Sequence, residues 1–238
     1  MKTFYYPKNT RGSADYGWLQ ANYSFSFANF YDHERENFGK LRVLNDDMIA
    51  PAKGFGTHPH RNMEIVSIPL SGQLAHKDSL NHEEVINTGD IQVMSAGSGI
   101  KHSEYNPSET ETCNLLQIWI IPNKVNVEPR YDQKSFSSAL EENQWNCVVA
   151  PKNAVENALW IHQNAYFNLA TLEAGKGLPY ELKDNNNNNG CYVFLISGEI
   201  NIEDNLLGGK DALGILETDQ FTIEAKQKSR VLVIEVPL

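Results

Sequence analysis

Along most of this chain apolar residues recur at every second position or gather in short runs closed by Gly, Pro, Asn or Asp, which is the pattern of strands and hairpins. Tyr23, Phe25 and Phe27 alternate with Ser24 and Ser26, predicting a half-buried strand. Leu41-Arg-Val-Leu-Asn-Asp-Asp alternates into a strand expected to end in an acidic turn at Asp46-Asp47, where turn carboxylates accept local backbone hydrogen bonds. Glu64 to Leu70 reads as a strand stopped by Ser71-Gly72, Leu74 to Ser79 as a strand carrying His76, and Val85 to Met94 as two strands around Thr88-Gly89-Asp90. Cys113 to Ile121, nearly all apolar, predicts a strand buried on both faces and ended by Pro122. The one helical stretch expected is Phe136 to Gln144, with Ser135, Ser137 or Ser138 as N-cap.

The second half repeats this grammar. Tyr192 to Ile200, with Ser197-Gly198, matches Ile65 to Leu74, with Ser71-Gly72, and Glu217 to Ile223 echoes Asn87 to Val93. Internal duplication of a barrel is the economical explanation. An all-β chain of two barrels in tandem is therefore expected, residues 1–130 and 131–238, with short helices and a linking stretch at about 122–150. The second copy lacks the histidines of the first. It carries the asparagine tract 184–190, read as a solvent-facing loop, and only His162, read as a packing or hydrogen-bonding residue. Gly208-Gly209-Lys210 fits a hairpin turn better than a phosphate loop.

Chemistry concentrates between residues 54 and 106, which hold most of the seven histidines. His58-Pro-His60 and His102-Ser-Glu104 are i, i+2 pairs, and an extended strand turns both members of such a pair to one face. Two such strands side by side would make one four-ligand site for a borderline first-row metal, and neither pair contains cysteine. Gly97 and Gly99 allow a sharp turn just before His102. Glu64 shares the parity of His58 and His60 and is a rival carboxylate, or else a group orienting a histidine. His76 and His82 have no partner two residues away and are assigned to structure or the pocket edge, and His33 to a solvated loop. Aromatics crowd the first 35 residues, as core packing or as the lining of an aromatic-accepting pocket.

A formal net charge of −10 disfavours binding to nucleic-acid phosphates or anionic membranes. Three widely spaced cysteines, with no C-x-x-C, predict buried apolar residues rather than disulfides. Pro7 and Lys8 interrupt any early apolar run, so a cytoplasmic protein is expected.

The wording THPH, GDIQVMSAGSGIKHSEYNP and QIWI, joined by GWLQANYSFSFANFYD, LRVLNDD and PRYDQKSF, resembles the pirin family of the cupin superfamily, in its bacterial quercetin 2,3-dioxygenase-like branch. The resemblance covers about the first 135 residues well and the rest more weakly. It implies a bicupin of two jelly-roll barrels, with one divalent metal, iron foremost and nickel, copper, manganese or zinc as alternatives. The implied ligands are His58, His60, His102 and Glu104, with Glu104 also the proton acceptor, whereas a general cupin motif would draw its carboxylate from Glu64. The implied reaction is ring-opening dioxygenation of a flavonol such as quercetin with release of carbon monoxide. Pirin-like proteins also include metal-dependent regulators that bind a protein partner, which is the alternative. If four ligands closed a tetrahedral zinc shell, the site would be structural.

Overall fold

The structure is a computed structural model that describes residues 1–137, 140–184 and 188–238. The first half contains β1 (Lys2–Tyr6), β2 (Gly12–Asp15), β3 (Leu19–Tyr23), β4 (Leu41–Ile49), β5 (Gly54–His60), β6 (Glu64–Ser71) and β7 (Gln73–Asp78). It continues with β8 (Glu83–Asn87), β9 (Asp90–Ser95), β10 (Ile100–Tyr105), β11 (Cys113–Ile120) and β12 (Arg130–Ser135). The second half contains β13 (Asn146–Pro151), β14 (Leu159–Ile161), β15 (Tyr166–Leu172), β16 (Gly177–Glu181) and β17 (Asn189–Ser197). It closes with β18 (Glu199–Ile202), β19 (Asn205–Gly208), β20 (Ala212–Leu216), β21 (Gln220–Ala225) and β22 (Ser229–Pro237). Among the described residues the only helical element is a 3-10 turn, Lys8–Thr10, and no helix is long and apolar enough to cross a membrane.

Four sheets result, and their orders expose the duplication. The first half pairs a seven-stranded sheet, β12-β9-β6-β11-β4-β3-β2, with a four-stranded one, β5-β10-β7-β8. The second half repeats it as β1-β20-β17-β22-β15-β13-β14 with β16-β21-β18-β19. The chain is thus a bicupin, with β4 to β11 answered in order by β15 to β22. One strand crosses between the halves: β1 joins the second half's large sheet through β20, while β12 edges the first half's own through β9.

The period-2 alternation explains the layering. On β11, Leu116, Ile118 and Ile120 face a core shared with Phe167, Leu169, Tyr192, Phe194, Leu232 and Ile234 of the other large sheet. Cys113 and Leu115 face the opposite way, into the first barrel. Both faces of the strand are covered, hence its nearly continuous apolar run. The barrel interiors differ in chemistry. In the second, Val193, Leu195, Leu213, Phe221, Ile223, Val231 and Val233 pack an apolar interior around one polar cluster, in which the Tyr180 hydroxyl joins Asn168 and Glu235. In the first, buried Asn45, Asp47, Ser67, Gln92 and Glu104 interrupt the apolar lining.

Several expectations are corrected. The described residues of Phe136 to Gln144 form turns, with one helical-type bond from Leu140 N to Phe136 O, and Ser138 lies outside the described residues. The stretch 122–150 carries β12 and β13 rather than a bare connection. The strand at Tyr23 ends there, because Ser24 and Ser26 are as buried as Phe25 and bond backbone and loop instead of alternating outward. Asp46 and Asp47 form no turn: β4 continues through them, paired on both sides by β11 and β3. Within the asparagine tract Asn188 lies in a turn and Asn189 opens β17, while 185–187 lie outside the described residues. The equivalent of the Thr88-Gly89-Asp90 turn is also not Glu217 to Asp219 but the turn before β20. There Asp211 Oδ2 accepts the N–H of Gly208 at 2.9 Å, as Asp90 Oδ2 accepts that of Asn87 at 2.9 Å.

Candidate metal centre

β10 lies between β5 and β7, and this register assembles the site. His102 is opposite His58 on one side and Asp78 on the other, and Glu104 is opposite His76. A bulge between His102 and Glu104 adjusts the β5 pairing, and bulges commonly re-aim side chains beside active sites. Two glycines permit the approach. A Cβ on Gly54 would stand 2.2 Å from the Glu104 carbonyl oxygen, and one on Gly97, at φ +47°, would stand 2.1 Å from that of Val127.

The three imidazoles converge, with ring centroids 4.5 Å apart for His58–His102 and 4.9 Å for both His58–His60 and His60–His102. Their donor nitrogens fall within 4.8 Å of one another. Burial first, and then the neighbouring rings of His102 and His58, pushes His60 down to about 3. Burial and then His58 and His76 push His102 down to about 3 as well. Both rings are therefore neutral at physiological pH, the form in which imidazole donates to a metal. His58 Nδ1 donates to the Gly56 carbonyl at 2.8 Å, leaving its Nε2 lone pair free. His102 Nε2 is buried without a hydrogen-bond partner, a costly state for a polar atom unless something else occupies that direction. These features suit a metal ligated through Nε2.

Glu104, fully buried, completes a second group of donors with His102 and His76. Gln117 Nε2 donates to its Oε2 at 2.8 Å and Ser67 Oγ to its Oε1 at 3.4 Å. Burial raises its pKa, against lowering by His76 and Gln117. The rival carboxylate Glu64 points elsewhere: it accepts Ser95 Oγ at 2.7 Å and pairs with His162 Nδ1 at 3.1 Å. Strand parity fails for it because β5 and β6 belong to different sheets, and the chain turns between them at Asn62, φ +50°. His162 thereby ties the second half to the first. His33 is solvent-exposed, and all three cysteines are free thiols.

A cavity of about 210 Å³ opens beside the histidines, walled by Phe27, Phe55 and Trp119 and floored by Asn45, Asp47, Glu104 and Gln117. His60 also borders a wider depression of about 540 Å³ with Arg61, Ser79, Ile100 and Lys101. Asn45 Oδ1 and Asp47 Oδ1 are buried without partners. Desolvation, followed by Asp46 and Glu104, pushes Asp47 up to about 8. Reading Asp46-Asp47 as a turn hid this floor. The apolar Met48-Ile49 that follows was the available sign that the strand continues, with Asn45 and Asp47 sharing a face.

Two cupin barrels, one of them holding three converging imidazoles and a buried carboxylate and the other no histidine cluster among its described residues, define a bicupin with one candidate metal centre among the described residues. The chain belongs to the pirin family: the Pirin family model matches residues 6–120, and the model of the quercetinase C-terminal cupin domain matches residues 148–236. It is 37% identical over 229 residues to the quercetin 2,3-dioxygenase of Escherichia coli K12, covering 96% of each chain. A putative quercetin 2,3-dioxygenase of Zymomonas mobilis is 41% identical over 228 residues, with 96% of this chain and 95% of that one covered. The crystal structure of the bacterial pirin YhhW from E. coli in complex with nickel(II) superimposes with a TM-score of 0.93 at 36% identity, covering 99% of each chain.

Proposed function

We propose that this protein is a metal-dependent dioxygenase that opens the heterocyclic ring of a flavonol such as quercetin with release of carbon monoxide. One observation carries the reading: three imidazoles converge, one with an orphaned Nε2, and two of them line an aromatic-walled cavity that also holds a buried carboxylate. The names of the close relatives and the nickel complex of YhhW support it.

His58, His60 and His102 would hold one divalent first-row metal through neutral imidazoles, with Glu104 as fourth ligand. Four protein ligands leave two positions of an octahedron open. When bound, such a metal supplies Lewis acidity toward a substrate hydroxyl and a redox centre for dioxygen. The remaining roles fall to the chain. Gln117 holds Glu104 Oε2, so Oε1, with only the longer Ser67 contact, is the oxygen that takes the substrate hydroxyl proton; proton transfer needs a separation of about 2.6 to 3.2 Å. Phe27, Phe55 and Trp119 clamp the reacting ring, and Asn45 and Asp47 receive its polar edge. The inner cavity is smaller than the ~300 Å³ usual for a drug-sized ligand, so the rest of the flavonol extends past His60 over the outer depression.

The regulator reading needs no aromatic-walled cavity over the histidines, whereas catalysis on an aromatic substrate does. The free thiols fit a reducing cytoplasm, and the charge of −10 fits a small-molecule substrate rather than nucleic acid. The test is anaerobic reconstitution of the stripped protein with iron, nickel, copper, manganese or zinc, followed by admission of air while quercetin and carbon monoxide are measured. Turnover with a redox-competent metal is expected. Stoichiometric metal binding without turnover by any of them would overturn the dioxygenase reading in favour of the regulator or another substrate.

A further inference from the structure

On the side of β10 away from His58, a line of buried polar groups leads off from His102. His102 Nδ1 stands 3.4 Å from Nδ1 of His76, and His76 Nε2 stands 3.3 Å from Oδ2 of Asp78. Asp78 is itself anchored. Its Oδ1 accepts the backbone N–H groups of Leu80 at 2.8 Å and His82 at 3.1 Å, and its Oδ2 accepts His82 Nδ1 at 2.9 Å. His76 is 1% exposed, and the ring of Tyr131 covers it at 4.6 Å.

Two imidazole nitrogens in hydrogen-bond contact must differ, one carrying the proton and the other the lone pair. A carboxylate accepts and cannot donate, so His76 carries its proton on Nε2, toward Asp78, and leaves Nδ1 as an acceptor. The amide Nε2 of Gln92 also lies 3.4 Å from this Nδ1 and shares its one lone pair with His102. His102 must then be protonated on Nδ1, which leaves its lone pair on Nε2, the orphaned nitrogen. We propose that His76, anchored by Asp78, is the positioning residue for His102, holding it in the Nδ1–H tautomer with Nε2 directed toward His58 and His60. The Gly56 carbonyl does the same for His58. Such outer partners orient a ligand ring and raise its basicity. The proposal rests on the metal-site reading but not on the identity of the substrate.

His76 is also close enough to Glu104 and His102 to be a ligand itself, so the experiment must separate the two roles. The metal-stripped full chain is titrated anaerobically with cobalt(II), following affinity, the d–d spectrum and the imidazole count from X-ray absorption. His76→Phe keeps a ring under Tyr131 and removes the acceptor; His76→Gln keeps an acceptor oxygen. In His76→Phe the affinity should fall by about 10- to 100-fold, the usual cost of losing an outer partner. Its d–d bands should shift, its imidazole count should stay unchanged, and His76→Gln should recover most of the loss. Histidine ¹⁵N NMR of the unsubstituted, metal-free protein should show His102 as the Nδ1–H tautomer, a readout that survives if a variant fails to fold. Unchanged affinity in His76→Phe, an Nε2–H tautomer at His102, or an imidazole count lower by one in His76→Phe would each overturn the proposal. If the unsubstituted protein takes up no cobalt(II), the metal-site reading itself fails. Quercetin turnover enters neither test.

Discussion

Single side chains divide the work at the candidate centre, and their separate removal should have separate effects. Glu104→Gln keeps size and one oxygen donor but loses the proton acceptor, so turnover should fall by about 10²-fold or more while most of the metal is retained. His60→Ala removes a donor from a ring cluster spaced at 4.9 Å and should lose both. Metal content by elemental analysis alongside quercetin consumption distinguishes them; full turnover in Glu104→Gln would exclude the base role. A pH effect follows from the same rings. Folding holds His60 and His102 near 3, against an ordinary 6.5. In the metal-free protein the unfolded chain therefore binds protons below 6.5 that the folded chain refuses, and stability rises with pH across that window. Stability is fully present above about pH 6.5 and is lost as pH falls toward 3. Denaturant melts between pH 4 and 7 should show this slope, shallower in His102→Asn. Of these residues the four proposed ligands were legible from i, i+2 spacing and resemblance. Asn45, Asp47 and Gln117 were not, because each reaches the cavity from a strand whose neighbours only folding supplies.

At the level of elements, the site depends on how closely β5 and β10 approach. A Cβ at position 54 would sit 2.2 Å from the Glu104 carbonyl oxygen, backbone that cannot swing aside. Gly54→Ala should therefore spread the two strands and separate His58 from His102, costing about 1–3 kcal/mol as overpacking does and weakening metal binding. A melting curve and a metal titration check both parts; wild-type affinity would mean that the strands accommodate the methyl group. Most strands were readable, since alternation and the Ser-Gly stops at 71–72 and 197–198 mark real ends, with Gly72 and Gly198 at φ +74° and +96°. The helix expected at Phe136 to Gln144 was not formed by its described residues. Sequence propensity for so short a segment is weak, and the stretch instead follows β12 directly off the edge of the first large sheet.

Across the whole molecule, the largest core lies between the two large sheets, and each half lends or receives an edge strand. The halves should therefore unfold together. Calorimetry should show one transition with matching calorimetric and van't Hoff enthalpies. Ile118→Ala and Leu232→Ala, on opposite sides of that core and both 0% exposed, should each destabilise by about 2–5 kcal/mol. Two resolved transitions, with Leu232→Ala moving only one, would refute the coupling.

The sequence by itself determined the strand period, the duplication, the confinement of the His-x-His and His-x-Glu pairs to one copy and the kinds of donor available, because these are local properties of composition and alternation. Only the tertiary structure decided which side chains share a space. Parity holds within a strand and is lost wherever the chain changes sheet, as it does between His60 and Glu64, so Glu64 turns to His162 and Ser95 while Glu104 comes to lie beside His102. The docking of β1 on the second half's sheet and the buried run of polar groups behind His102 join residues far apart in sequence, and no periodicity along one strand carries that information.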